Sequence, residues 1–148
     1  YGRVGRAGEP GLDTGLSAAI TTAAAEVEDT YAIDVRPVVV GDRPLDDDLR
    51  ALVLAAREAM VNAAKHAKVT EVSVYVEVEP GEVHVFVRDR GVGFDADDVP
   101  GDRHGLADSV HGRMERHGGT VRLRSTPGEG TEVQLRMPVA EAEQESGQ

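Results

Sequence analysis

Apolar residues recur along this chain with two periods, and the switching between them sets an order of elements. Leu16, Ala19, Ile20, Ala23, Ala24 and Val27 fall at helical spacing behind Thr14, a capping residue type, and predict a first helix over 15–29. Residues 33–40 are rich in β-branched side chains, and Pro37 removes one ladder donor, which predicts a strand near a sheet edge. After the turn Gly41-Asp42-Arg43-Pro44, the longest helical period spans 45–66 and opens on Asp46, Asp47 and Asp48, whose charge suits a helix N-terminus. Val72, Val74, Val76 and Val78 alternate with polar residues, as do Val83, Val85 and Val87 beyond Pro80-Gly81, which predicts a hairpin of strands 70–79 and 82–88. Residues 89–103 lack a period and read as a long loop, of a length tied to function. A third helix is predicted over 105–117, stopped by Gly118-Gly119, with strands over 120–124 and 131–137 around the turn 126–130. About three helices on a mostly antiparallel sheet of about five strands predict an α+β chain folded as a two-layer α/β sandwich. The expected organisation is a linker remnant over 1–13, one domain over 14–138 and an acidic, Gln-rich disordered tail over 139–148.

Composition narrows the function classes. At 148 residues the chain can bury one core without a disulfide or metal staple. A net charge of −11 repels nucleic-acid phosphates, and 3% aromatic residues leave little for base stacking, so no nucleic-acid partner is expected. The absence of Cys excludes thiolate nucleophiles, Cys-based zinc sites and disulfides, and favours a cytoplasmic location. No apolar stretch approaches the roughly 18–20 residues of a membrane helix, so no direct membrane contact is expected. Tyr1 in place of Met suggests a fragment of a longer chain, whose other parts could carry an anchor.

On the 45–66 helix, Leu49, Leu52, Val53, Ala56, Met60 and Ala63 share one stripe at about 100° per residue, the face expected to lie on the sheet. The opposite face should be wet, yet it shows Ala51, Leu54, Ala55 and Val61, with Glu58, Asn62 and Lys65 at i, i+4 and i+7 among them. Desolvating three polar groups is costly, so a polar ligand on that face would explain them. Asn suits Mg²⁺, Lys suits phosphate and Glu suits a base, but a surface Glu–Lys pair beside an Asn has the same spacing. Arg88-Asp89-Arg90-Gly91-Val92-Gly93-Phe94 ends a strand with an acceptor and two glycines that allow close backbone approach, or forms a capped turn. It is neither a P-loop nor a Rossmann cradle. Gly105, after Arg103 and His104, is expected to open the third helix and offer free N–H groups to an anion. Gly128-Glu129-Gly130-Thr131 turns tightly into the last strand, where the Thr131 hydroxyl either bonds a base or caps the turn.

Taken in order, Arg57 to Ala67 with its Asn62-Ala63-Ala64-Lys65-His66-Ala67 core, Asp89-Arg90-Gly91-Val92-Gly93-Phe94, His104-Gly105-Leu106 and Gly128-Glu129-Gly130-Thr131 resemble the ATP-binding catalytic domain of bacterial sensor histidine kinases. That domain belongs to the ATPase superfamily of type II topoisomerases, heat-shock chaperones and mismatch-repair proteins, whose sandwich is the Bergerat fold. The form around Asn62 is most similar to nitrate-sensor-type kinases. The resemblance covers about 14–138 and implies Mg-ATP as ligand, with Asn62 on Mg²⁺, Lys65 on phosphate and Glu58 as general base or water-positioner. It implies Asp89 on the adenine amine, Gly91 and Gly93 making room for base and ribose, Thr131 supporting Asp89 and the adenine, and His104, Gly105 and Leu106 closing a lid over the phosphates. Arg103 stands where the family often has a glycine and adds charge, and Arg113 is a candidate for the γ-phosphate.

The resemblance further implies γ-phosphoryl transfer to a His on a separate dimerisation domain, then relay to a response regulator. None of His66, His84, His104, His111 and His117 lies in an acceptor setting, so an isolated catalytic domain is expected. An anti-sigma-factor-type serine kinase and a non-catalytic ATP-gated interaction module are the alternatives.

Overall fold

The structure, a computed structural model, describes residues 15–66, 69–92 and 101–139, with backbone only for residues 66 and 101–107. The predicted linker over 1–13 and, but for Val139, the predicted tail lie outside it. The described elements are α1 (Leu16–Tyr31), β1 (Asp34–Val40), α2 (Asp47–His66), β2 (Glu71–Glu79), β3 (Glu82–Asp89), α3 (Gly101–Arg116), β4 (Thr120–Thr126) and β5 (Gly130–Pro138). The strands form one sheet in the order β1-β2-β3-β5-β4, parallel between β1 and β2 and antiparallel elsewhere. The parallel pair follows from connectivity, because α2 carries the chain back across the sheet between β1 and β2. The predicted edge strand is β1, which tolerates Pro37 because its other side has no neighbouring strand among the described residues.

One face of the sheet is buried beneath the helices. Val72, Val74 and Val76 of β2, Val83, Val85 and Val87 of β3 and Leu135 and Met137 of β5 are all buried there, as the period of two requires. Each adds about 1.5–3 kcal/mol by leaving water. The predicted α2 stripe, Leu49, Leu52, Val53, Ala56, Met60 and Ala63, is buried in the same cluster, with Leu16, Ile20 and Val27 of α1.

Several ends differ from expectation, each for a local reason. The N-cap of α1 is Gly15, without a side-chain cap bond, and the Asp42 carboxylate accepts from the Ser17 N–H instead at 2.9 Å. The cap predicted at Thr14 lies outside the described residues. Helix α2 starts at Asp47, two residues later than the period suggested, because Asp46 Oδ1 accepts the Leu49 N–H at 2.8 Å as its cap. Helix α3 starts at Gly101, not Gly105: Asp102 places an acid in its first turn, and a single interior glycine costs only about 1 kcal/mol. Its end is as predicted, with Gly118 at φ 84°, the Gly119 N–H donating to the Met114 carbonyl at 2.8 Å and the Gly118 N–H to Glu115 at 3.1 Å. Val139, assigned to the tail, donates its N–H to the Gly81 carbonyl at 2.9 Å.

Candidate functional site

The helix-facing rows of the sheet are apolar through the centre and polar at one end. Asp89 closes β3, Thr131 stands opposite it on β5, and Ser125 stands opposite Thr131 on β4. Asp89 and Thr131 are buried, 6% and 8% exposed, although Asp almost never is unless paired. Asp89 Oδ1 accepts the Gly91 N–H at 2.9 Å, so the turn folds back on its own carboxylate. Thr131 Oγ1 and Ser125 Oγ lie 2.8 Å apart, and Ser125 Oγ donates to the Gly130 carbonyl at 3.1 Å. Gly130 is held at φ 102°, and a Cβ there would lie 2.2 Å from the Asp89 carbonyl oxygen. The β4–β5 turn is therefore pressed onto the end of β3, and the Gly128 N–H donates to the Val92 carbonyl at 2.7 Å. Gly93 lies outside the described residues.

The second part of the site is the flank of α2 covered by α3. Contacts at Asp48 with His117, 2.7 Å, and at Glu58 with Arg113, 2.9 Å, run α3 along that flank. Val110 and Met114 of α3 and Ala51 and Ala55 of α2 are buried, so the alanines of the apolar frame have a packing cause, whereas Leu54 stays 44% exposed and Val61 half-buried. Glu58 and Asn62 are half-buried and Lys65 is exposed on the same flank. The Glu58 carboxylate also receives the Ser109 hydroxyl at 3.4 Å. Asn62 Oδ1 and Arg113 Nε are buried with no hydrogen-bond partner among the described residues. A buried unsatisfied group of this kind costs about 1–3 kcal/mol, which points to a ligand.

The structure thus brings Asp89 and Thr131 together, and Glu58 beside Arg113. Arg103, His104, Gly105 and Leu106 all fall in the first turns of α3, where only backbone is described. Gly105 is its fifth residue, so the free N-terminal amides expected there belong to the preceding residues instead. Ser125, Ser109 and Gly130 were not singled out individually by pattern. The Ser125 signal lay in its register opposite Thr131, which a hairpin count around the 126–130 turn would have revealed.

Other concave or charged regions stand apart. A groove of about 980 Å³ on the uncovered face of the sheet is lined by Tyr75, Phe86, Arg88 and neighbours and shares only Asp89 with the candidate set. At the β2–β3 turn, Glu79, Glu82 and His84 offer three ligand atoms within 4.8 Å, but Arg136 and His84 already hold the two oxygens of Glu82.

Residues 47–141 match the family described as histidine kinase-, DNA gyrase B- and HSP90-like ATPase. The chain belongs to that family. This ATPase domain is 36% identical over 94 residues to the nitrate/nitrite sensor protein NarQ of Escherichia coli, covering 63% of the chain and 16% of that protein. It is 33% identical over 132 residues to the oxygen sensor histidine kinase NreB of Staphylococcus carnosus, covering 87% of the chain and 38% of that protein. The chain thus spans well under half the length of these relatives. The ATP binding domain of PrrB from Mycobacterium tuberculosis superposes with a TM-score of 0.67 at 27% identity, over 84% of this chain and 94% of that one. The histidine kinase domain of a blue-light activated kinase from Erythrobacter litoralis shares the fold, TM-score 0.70 at 21% identity, over 86% of this chain and 62% of that one. The expected two-layer α/β sandwich is the fold of this ATP-binding domain. Among its described residues no helix is long and apolar enough to cross a membrane.

Proposed function

We propose that the chain is the catalytic domain of a sensor histidine kinase, binding Mg-ATP between the α2–α3 flank and the polar end of the sheet and donating the γ-phosphoryl to a histidine outside this chain. The observation that carries it is the buried, unpartnered Asn62 Oδ1, a hard carboxamide oxygen of the type Mg²⁺ takes. Asn62 would hold the cation, which supplies charge neutralisation at the phosphates. Asp89 accepts from the exocyclic amine of adenine, with Gly91, whose N–H meets the same carboxylate, leaving room for the base. The exposed Lys65 offers an ammonium to phosphate oxygens, and Arg103, His104, Gly105 and Leu106 at the start of α3 border the phosphates. Glu58, oriented by Arg113 and Ser109, accepts the proton that the acceptor imidazole loses as its nitrogen bonds phosphorus and ADP departs with the bridging oxygen. Positioning and charge carry such a transfer, so no covalent enzyme intermediate is required.

The partners under this reading are the kinase's own dimerisation domain and a response regulator, in the cytoplasm. Incubation with labelled ATP and a separately produced acceptor hairpin tests it, and label on the hairpin histidine is the expected result. Label on a serine of a small antagonist protein instead would mark a serine kinase, and nucleotide binding with no transfer to any acceptor would mark an ATP-gated module.

A further inference from the structure

The β1 edge of the sheet carries both a hazard and a guard. β1 is seven residues long, and its Val38 and Val40 are 56% and 47% exposed, the two most exposed large apolar side chains among the described residues. An apolar edge strand of this kind is a template for pairing with another chain. The phase of its backbone is set at Asp34, whose N–H donates to the Thr70 carbonyl beside β2 at 2.9 Å. Backbone polar groups alternate sides along a strand, so residues 36, 38 and 40 also turn to β2, whereas Val35, Pro37 and Val39 turn theirs to the free edge. Two of those three positions have no N–H to give. Pro37 lacks one by its chemistry. The Val35 N–H already donates to Glu28 Oε2 of α1 at 2.9 Å, so the carboxylate stands where the carbonyl of an added strand would lie.

We propose that the β1 edge is a latent docking edge for a second copy of this chain, held shut by Glu28 and Pro37. The strand matches itself. Two β1 strands laid antiparallel about Pro37 set Val35 against Val39 on the helix-covered face, and Val38 against the apolar stem of Arg36 on the other, with no like charges opposed. Residues facing each other across the new edge would exchange both N–H···O bonds. With the Val35 N–H taken and that of Pro37 missing, only Val39 is left to donate in each copy. A ladder with one donor per strand does not offset the freedom lost on association.

Analytical ultracentrifugation of this chain over the micromolar to millimolar range tests the guard. Wild type should sediment as a monomer, and the double variant Glu28→Ala with Pro37→Val, which frees one N–H and restores the other, should dimerise. Each single variant should dimerise at least about tenfold more weakly than the double, the ratio equivalent to the two hydrogen bonds that one change recovers across a symmetric pair. Glu28→Gln, whose amide oxygen still accepts from Val35, should behave as wild type. Adding Val39→Pro to the double variant deletes another outward N–H and should weaken the dimer at least about tenfold. Should Glu28→Ala fold poorly, Pro37→Val alone carries the test, because it must self-associate more tightly than wild type. A double variant that stays monomeric, a wild type that dimerises as tightly as the double variant, a Glu28→Gln chain that behaves as Glu28→Ala, or a dimer untouched by Val39→Pro overturns the proposal.

Discussion

At the end of the site proposed to hold the base, Asp89, Thr131 and Ser125 are set by strand register and bonded to the protein itself, whereas at the end proposed to hold the phosphates Asn62 Oδ1 and Arg113 Nε are buried without partners among the described residues and Lys65 is exposed. The proposed base end is therefore preorganised, so little ordering would remain to oppose binding there. The phosphate end holds uncompensated polarity that a cation and an anion would satisfy together. The contrast predicts that substitutions at the base end alter stability and binding jointly, while those at the phosphate end separate the two.

The largest effect is expected from Gly130→Ala. The added Cβ would meet the Asp89 carbonyl at 2.2 Å in a backbone of positive φ. Overpacking and left-handed strain together should cost about 3 kcal/mol, roughly 6–12 °C in Tm for a chain of this size, and abolish ADP binding. Denaturant unfolding and ADP titration check both. Asp89→Asn should next cost ADP about 1.5–3 kcal/mol of binding, the value of a hydrogen bond to a charged group, read by calorimetry. A larger loss for ADP than for tripolyphosphate would localise it to the base.

Asn62→Leu separates the ends. Removing the buried unsatisfied oxygen should leave the nucleotide-free protein as stable or about 1 kcal/mol more stable, while the Mg-dependent part of the ADP thermal shift disappears. Loss of the Mg-independent part as well would break the division. Arg113→Met should cost less than about 1 kcal/mol of stability, because its pair with Glu58 is 27% and 26% exposed, yet lower kcat for transfer more than it changes KM for ATP.

The smallest effect lies outside the site. The His84 hydrogen bond holds the Glu82 carboxyl below the usual range against the opposing effect of desolvation, and Arg136 adds to the lowering. A depressed folded pKa means that the stabilisation is full above the unfolded value of about 4.3 and is lost as pH falls through the folded one. Glu82→Gln should therefore flatten Tm against pH between about 5 and 3 and leave ADP affinity at neutral pH unchanged.

Much of the fold was legible in the chain. The valine alternation of residues 72–87 is a property of neighbours two apart, and the Leu49 to Ala63 stripe of neighbours three and four apart, so both survive without knowledge of partners. The start of α3 was misread because Gly105 looked like punctuation, while the competing signal was an acid in the first turn. On α2, Glu58 and Asn62 were visible as polar residues in an apolar frame, but the burial of Ala51 and Ala55 in that frame goes with the docking of α3, which periodicity within one helix cannot show. Ser125 was missed because a lone serine has no pattern of its own and gains meaning only through the hairpin register that sets it opposite Thr131.

The order of elements, the buried faces, the glycine turns and the four motifs that carry the family resemblance were determined by the sequence alone, since each depends on spacing within a short stretch. Only the tertiary structure decided that Arg113 meets Glu58, that Asn62 Oδ1 is buried without a partner among the described residues and that Ser125 stands beside Thr131. Those relations depend on helix docking and strand register, where a shift of one residue would turn each side chain to the other face.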